Sequence, residues 1–173
     1  MVTVHFSISP LDPSEVEAVA RAHAVMQATT YATIARGDFT GLLFRNLDGR
    51  VEEWLAAERT AVARTERGNI VGVAMVTEGP EEWEVKLDPN FVPPATNRYL
   101  STLFTMPGTH GSGLGTTLLN AVLGPDEEAY LWSMIENQRA IRFHEKHGFK
   151  PDGHARNTTD WGGMDMIRMV RLP

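Results

Sequence analysis

The chain has 173 residues, a length that suits one domain spanning residues 1–173 and leaves little room for a second. Its 16 Lys and Arg against 22 Asp and Glu give a net charge of −6, the wrong sign for binding nucleic acid by broad phosphate neutralisation. The sequence holds no Cys, which excludes disulfide scaffolds, thiolate metal sites and cysteine nucleophiles, and no window approaches the roughly 18 apolar residues of a spanning helix. The expectation is a cytoplasmic protein with neither a nucleic acid nor a membrane as partner.

In chain order, Val2, Val4, Phe6 and Ile8 alternate with polar residues, the period-2 mark of a strand over residues 2–8. Asp12-Pro13-Ser14-Glu15 is a helix start, and the Ala-rich run behind it predicts a helix to about Gln27. A polar stretch, 29–37, separates it from a second helix near 51–59. Arg67-Gly68-Asn69 is a turn signal joining strands 61–66 and 70–77. Residues 79–97 are rich in Pro and acid and predict one short strand around 83–87 inside an irregular insertion. A strand over 99–105, a Gly-rich loop, a helix over 116–123, a strand over 129–134, a helix over 137–147 and a final strand over 164–172 complete the order. Met164, Met166 and Met169 read as adaptable packing, with the contact of a homodimer as the other use of that strand.

The loop His110-Gly111-Ser112-Gly113-Leu114-Gly115 enters a helix, so backbone N–H groups without an intrahelical partner gather beside a positive dipole end. That is an anion site in general terms. A nucleoside-triphosphate loop needs Gly-Lys-Ser/Thr, whereas Gly115 is followed by Thr116-Thr117; a dinucleotide fold needs its glycines in an early βαβ unit.

The run from Leu103 to Leu119 resembles the acetyl-CoA motif of the GNAT-type N-acetyltransferase superfamily, whose signature is Arg/Gln-x-x-Gly-x-Gly/Ala. A second segment, Asn137 to Phe149, resembles the same family's Asn-x-x-Ala-x-x-Phe-Tyr-x-x-x-Gly-Phe helix. The close likeness covers roughly residues 99–149. Three positions depart from the family pattern: His110 for Arg or Gln, His144 for a frequent Tyr, and Tyr99 for a frequent Glu.

The resemblance implies an α/β (α+β) GNAT fold: a mixed, mostly antiparallel twisted sheet of about seven strands, helices on both faces, and a splayed strand pair forming a wedge for acetyl-CoA as co-substrate. Backbone groups of Leu103, Phe104 and Thr105 would hold the pantetheine arm. His110, Gly111, Ser112, Gly113, Leu114, Gly115 and Thr116 would cradle the pyrophosphate, with Asn137 and Phe143 also against the cofactor. Acyl transfer needs a neutral amine, a stabilised oxyanion and a proton for the thiolate. His144 lies seven positions from Asn137, on the same helix face, and can donate from its cationic or its neutral form. Tyr99 could relay a proton.

The base is open among Glu81, Glu82, Glu84 and Asp88, which together could concentrate a cationic amine. Tyr31, Trp83, Glu84 and Phe91 are candidates for the acceptor pocket, Trp132 reads as core, and His5, His23, His147 and His154 show no spacing for a metal. The expected activity is acetyl transfer to a small-molecule or peptide amine by direct attack. A silent acyl-CoA sensor of the same fold is the alternative, and a toxin acting on aminoacyl-RNA would need a basic face.

Overall fold

A computed structural model describes residues 5–173, so the Val2 and Val4 half of the expected first strand lies outside the described residues. The elements run β1 (Phe6–Ser9), α1 (Val16–Tyr31), α2 (Phe39–Arg45), α3 (Leu47–Ala56), β2 (Arg59–Thr65), β3 (Ile70–Glu78), α4 (Glu82–Lys86), β4 (Arg98–Thr105), α5 (Leu114–Val122), β5 (Ala129–Met134), α6 (Gln138–Lys146), β6 (Lys150–Asn157) and β7 (Asp165–Arg171). They form one seven-stranded sheet in the order β1-β2-β3-β4-β5-β7-β6. Every neighbouring pair is antiparallel except β4 with β5.

The period-2 alternation of the central strands feeds two cores at once. Ala61, Ala63, Ala74 and Val76 pack with Leu114, Leu118, Leu119 and Val122 of α5. Val62, Val73 and Met75, their sequence neighbours, pack with Val19, Ala20 and Met26 of α1 and with Trp54 of α3. The sheet is thereby covered on both faces. Among the described residues no helix is long and apolar enough to cross a membrane.

Three elements depart from the sequence expectation. The strand expected at 83–87 is the helix α4, because Glu81 and Glu84 form a reciprocal capping box and Glu82 pairs with Lys86 one turn on, at 2.6 Å. The apolar alternation of Trp83, Val85 and Leu87 that suggested a strand leaves Val85 and Leu87 exposed, while the charged Glu84 is fully buried. Strand β6 was not expected, since Lys-Pro-Asp-Gly carries no strand pattern; it is an edge strand whose pairing slips between Pro151 and Ala155. Helix α2 was also missed, although Asp38 caps it by accepting from Gly41 N at 3.0 Å. Met164, Met166 and Met169 are buried within this chain, which removes them from any subunit contact.

Glu84 holds the middle of the sheet. Its carboxylate accepts from the Tyr130 hydroxyl at 2.7 Å, from Trp132 Nε1 at 2.9 Å and from Glu81 N at 2.9 Å. Gly79 makes the first of these possible, because a Cβ there would stand 1.8 Å from the Tyr130 oxygen. Removing the carboxylate strands three donors in the interior, so Glu84→Ala should lower unfolding free energy by about 2–5 kcal/mol. Glu84→Gln, which keeps one acceptor oxygen, should lose less. Urea denaturation decides it: equal midpoints for wild type and Glu84→Ala would show that the network carries no stability.

Candidate active site

The parallel strands β4 and β5 meet at a single residue pair, Tyr99 with Tyr130, whose rings stack 4.7 Å apart and nearly parallel. Past that pair they part, and a cleft of about 980 Å³ opens between them. Leu103, Phe104 and Thr105 line one wall from β4, with their outer backbone edge laddered to β3; Leu131 to Met134 line the other from β5, laddered to β7. The expected splayed pair is thus present as geometry.

At one end of the cleft the Gly-rich loop delivers the start of α5. Gly113 caps the helix at a φ of 85°, and Gly111 has a φ of 83°, backbone that side chains rarely adopt. Leu114 N is taken by Ser112 Oγ at 3.3 Å, whereas the amides of Gly113, Gly115 and Thr116 have no hydrogen-bond partner among the described residues. His110, Gly111, Gly113, Leu114, Gly115 and Thr116 all line the cleft; Ser112 does not, since its hydroxyl also donates to Thr109 O at 2.6 Å and braces the loop. Arg139 and Lys146 border the same end. Free amides at a helix start, glycines without intruding side chains and two cations fit a pyrophosphate.

Helix α6 closes the opposite side of this end. Asn137 caps it by accepting from Ala140 N at 3.3 Å, which engages Oδ1 and leaves the amide Nδ2 for a ligand. Phe143 packs so close to α5 that a Cβ on Gly115 would stand 3.2 Å from its ring. His147 bridges the two helices, 2.8 Å from Phe143 O and 3.1 Å from Thr116 Oγ1.

His144 lines the cleft with its ring buried between Phe143 and Phe149, at centroid distances of 5.3 and 5.7 Å, and its Nδ1 has no partner. Burial, helped by the neighbouring His147, pulls its pKa down to about 3. The ring is therefore neutral at physiological pH and presents an N–H as a hydrogen-bond donor. The cationic form is not available. Tyr99 also lines the cleft, and burial, reinforced by Glu81 and Glu84, pushes its phenol well above the ordinary value, so it stays protonated.

The other end of the cleft is walled by Tyr31, Trp83, Trp161 and Glu81. Tyr31 sits edge-on to Phe39, Phe104 and Trp161 at 5.9–6.1 Å, and Trp83 Nε1 donates to Glu81 Oε2 at 2.6 Å. Of the four acids considered as base, Glu81 alone lines the cleft, and burial raises its pKa. Glu82 is tied to Lys86, Asp88 pairs with Arg156, and Glu84 lies beneath the floor with its oxygens occupied, which takes it out of the acceptor pocket. Phe91 is likewise outside the cleft, whereas Trp132, read as core, is half-buried and lines it.

Gln27, Arg50 and Glu53, which carry no motif in the sequence, also line this end, together with His23, weighed above only as a metal ligand. One signal was available: His23, Gln27 and Tyr31 recur every four residues along α1, hence on one helix face. Among the described residues no group of three or more His, Asp or Glu could hold a metal ion.

Comparison with known proteins agrees with this geometry. The Acetyltransferase (GNAT) family profile matches residues 29–149. The uncharacterized N-acetyltransferase Rv2669 of Mycobacterium tuberculosis is 33% identical over 110 residues, 60% of this chain and 62% of that protein, so the match spans less than two thirds of the relative. Among solved structures, the PaiA N-acetyltransferase of Thermoplasma acidophilum in complex with coenzyme A superposes with a TM-score of 0.67 at 15% identity, over 98% of this chain and 99% of that one. YncA, a putative acetyltransferase of Salmonella typhimurium with its cofactor acetyl-CoA, gives 0.63 at 18% identity, over 97% and 94%. With well over half its length matched by the family profile and the splayed strands and glycine cradle in their expected places, the chain belongs to the GNAT family of acetyltransferases.

Proposed function

We propose that this chain, as one domain, moves the acetyl group of acetyl-CoA onto a primary amine by direct attack within a ternary complex. The observation that carries this reading is the continuity of the cleft, which joins the amide cradle at the start of α5 to a hollow holding Glu81 and passes the donor His144 on the way. Acetyl-CoA supplies the acetyl group as a thioester. The amine nitrogen forms the new C–N bond as the C–S bond breaks, the amine proton passes to Glu81, directly or through water, and CoA leaves with its sulfur. With no Cys in the sequence, an acetyl-cysteine route is closed.

The chain's own groups divide the work. The amides of Gly113, Gly115 and Thr116 hold the pyrophosphate, and the unladdered edge of β4, formed by the backbone groups of Leu103 and Thr105 on either side of the laddered Phe104, takes the pantetheine amides in the manner of an added strand. His144, neutral, donates a hydrogen bond toward the departing sulfur and does not hand over a stored proton. Tyr99, held as a phenol, is a second donor. Glu81, whose raised pKa makes it a better base than a free carboxylate, stands in for the Glu that many relatives carry at the Tyr99 position.

Protein mixed with acetyl-CoA, an amine panel and a thiol reagent should release CoA only when an amine is present. Tight acetyl-CoA binding without release on any amine would assign the chain to the sensor alternative. Gly113→Val, a β-branched residue forced to positive φ over the free amides, should weaken acetyl-CoA at least about tenfold in calorimetry while the circular dichroism spectrum holds. Undiminished affinity would remove the loop from the site.

For His144, loss of one hydrogen bond to a developing thiolate predicts a kcat about 10–100-fold lower in His144→Ala, with acetyl-CoA affinity retained. The same residue should show in the stability of the protein. An unfolded imidazole takes up its proton near pH 6.5 and the folded one near 3, so stability is lost progressively as pH falls between those values, by up to about 1.4 kcal/mol per pH unit. His144→Gln should flatten urea midpoints against pH across that window, and parallel curves would contradict a buried neutral imidazole.

A further inference from the structure

Two side chains at the acceptor end of the cleft have polar atoms that nothing in the chain satisfies. Gln27 and Arg50 both line it, are only 8% and 6% exposed, and leave Gln27 Oε1 and Arg50 Nε buried without partners. Unsatisfied buried groups are costly, and a buried cation without a counter-ion more so.

The rest of the guanidinium is deliberately held. Arg50 Nη1 stands 2.8 Å from His23 Nδ1 and 3.2 Å from its Nε2, and Trp54 Nε1 donates to Nδ1 at 3.3 Å. Both neighbours are donors and Nδ1 is the ring nitrogen nearer to Arg50 and the one Trp54 reaches, so Nδ1 is the acceptor. Burial and the adjacent Arg50 charge keep His23 well below the usual imidazole range, so it orients Arg50 without neutralising it. Among the described residues no carboxylate lies within 4 Å of Arg50. Glu53 acts on it only through its field.

With Nη1 engaged, the Nε–Nη2 edge remains, the side-on fork that matches the two oxygens of a carboxylate. We propose that the acceptor is an amine that also carries a carboxylate, of the free amino acid class, with Arg50 binding the carboxylate through this edge and Gln27 Oε1 accepting from an N–H or O–H of the same molecule. A dianion such as a phosphate is disfavoured, because Glu53 and Glu81 share this end of the cleft. The same two acids suit the ammonium end of an amino acid. Arg50 and Gln27 are then specificity-determining residues, and His23 is the positioning residue that aims the fork. This inference rests on the acetyl-transfer reading and adds the acceptor class to it.

The test compares matched amines with and without the carboxylate: phenylalanine with phenethylamine, and ornithine with putrescine, each with acetyl-CoA. The carboxylate-bearing member should be favoured in kcat/KM by at least about tenfold in one pair or both, and in Arg50→Gln that ratio should collapse toward one through a raised KM. Preference for the decarboxylated member in both pairs, or a ratio that survives Arg50→Gln, overturns the proposal. Should no amine release CoA, the transfer reading fails, and the subsite is judged alone by thermal shift with N-acetyl-phenylalanine and N-acetyl-phenethylamine. Stabilisation by the first only, lost in Arg50→Gln, supports the subsite, and equal or absent stabilisation overturns it. If Arg50→Gln loses its fold by circular dichroism, Gln27→Glu is the substitute: its added carboxylate should abolish the preference by repulsion, and retention of the preference counts against the proposal.

Discussion

The site depends on one constraint, that the parallel strands β4 and β5 are joined only where Tyr99 faces Tyr130. A parallel ladder needs continuous pairing to satisfy its amides, and here it stops after one step. The pivot is firmly held: the two rings stack, the Tyr130 hydroxyl is bonded to the buried carboxylate of Glu84, and Gly79 clears the space for that bond. Beyond it the inner edges of both strands face a cleft instead of each other. In the proposed reading a ligand with strand-like amides completes what the sheet leaves open, so that a fold with few charged groups on the wedge walls can hold a long, flexible molecule.

The two ends of the cleft solve recognition with different materials. The end at α5 uses backbone: free amides, positive-φ glycines and a helix start, with the side chains of Phe143, His147 and Thr116 fixing how closely α5 and α6 approach. The other end uses side chains whose ionisation is set by burial. His144 and His23 are both kept neutral, Tyr99 is kept protonated, and Glu81 is made more basic than a free carboxylate. In the proposed reaction, proton traffic therefore falls to the carboxylate, while the imidazoles act as fixed hydrogen-bonding groups. Within that proposal, the division lets His144 take the place of the family's frequent Tyr without adding a cation beside the sulfur.

What was legible in the sequence follows from how local each constraint is. The loop from His110 to Gly115 could be read because its backbone conformation demands glycine, and the Asn137 helix because its cap and spacing are contained in a dozen residues. The strands β2, β3, β4 and β5 announced themselves by apolar runs. Helix α4 did not, because its short apolar alternation imitates a strand and its real determinants, a capping box and a buried Glu84, are satisfied by Tyr130 and Trp132 more than forty residues away. Strand β6 was hidden for the opposite reason: at a sheet edge it needs no apolar face, so Lys150-Pro151-Asp152-Gly153 gives no periodic signal. The pairing of His23 with Arg50 spans 27 residues and two helices, and no spacing rule links them.

Amide hydrogen exchange with and without CoA reads the very backbone that the wedge leaves unpaired. Protection should rise at Leu103 and Thr105 of β4, whose amides turn away from β3, and at Gly113, Gly115 and Thr116 of the cradle, with the laddered amides of Phe104, β2 and β7 little changed. CoA binding that leaves those five amides exchanging as before, or that protects a surface away from β4 and α5, would contradict the account.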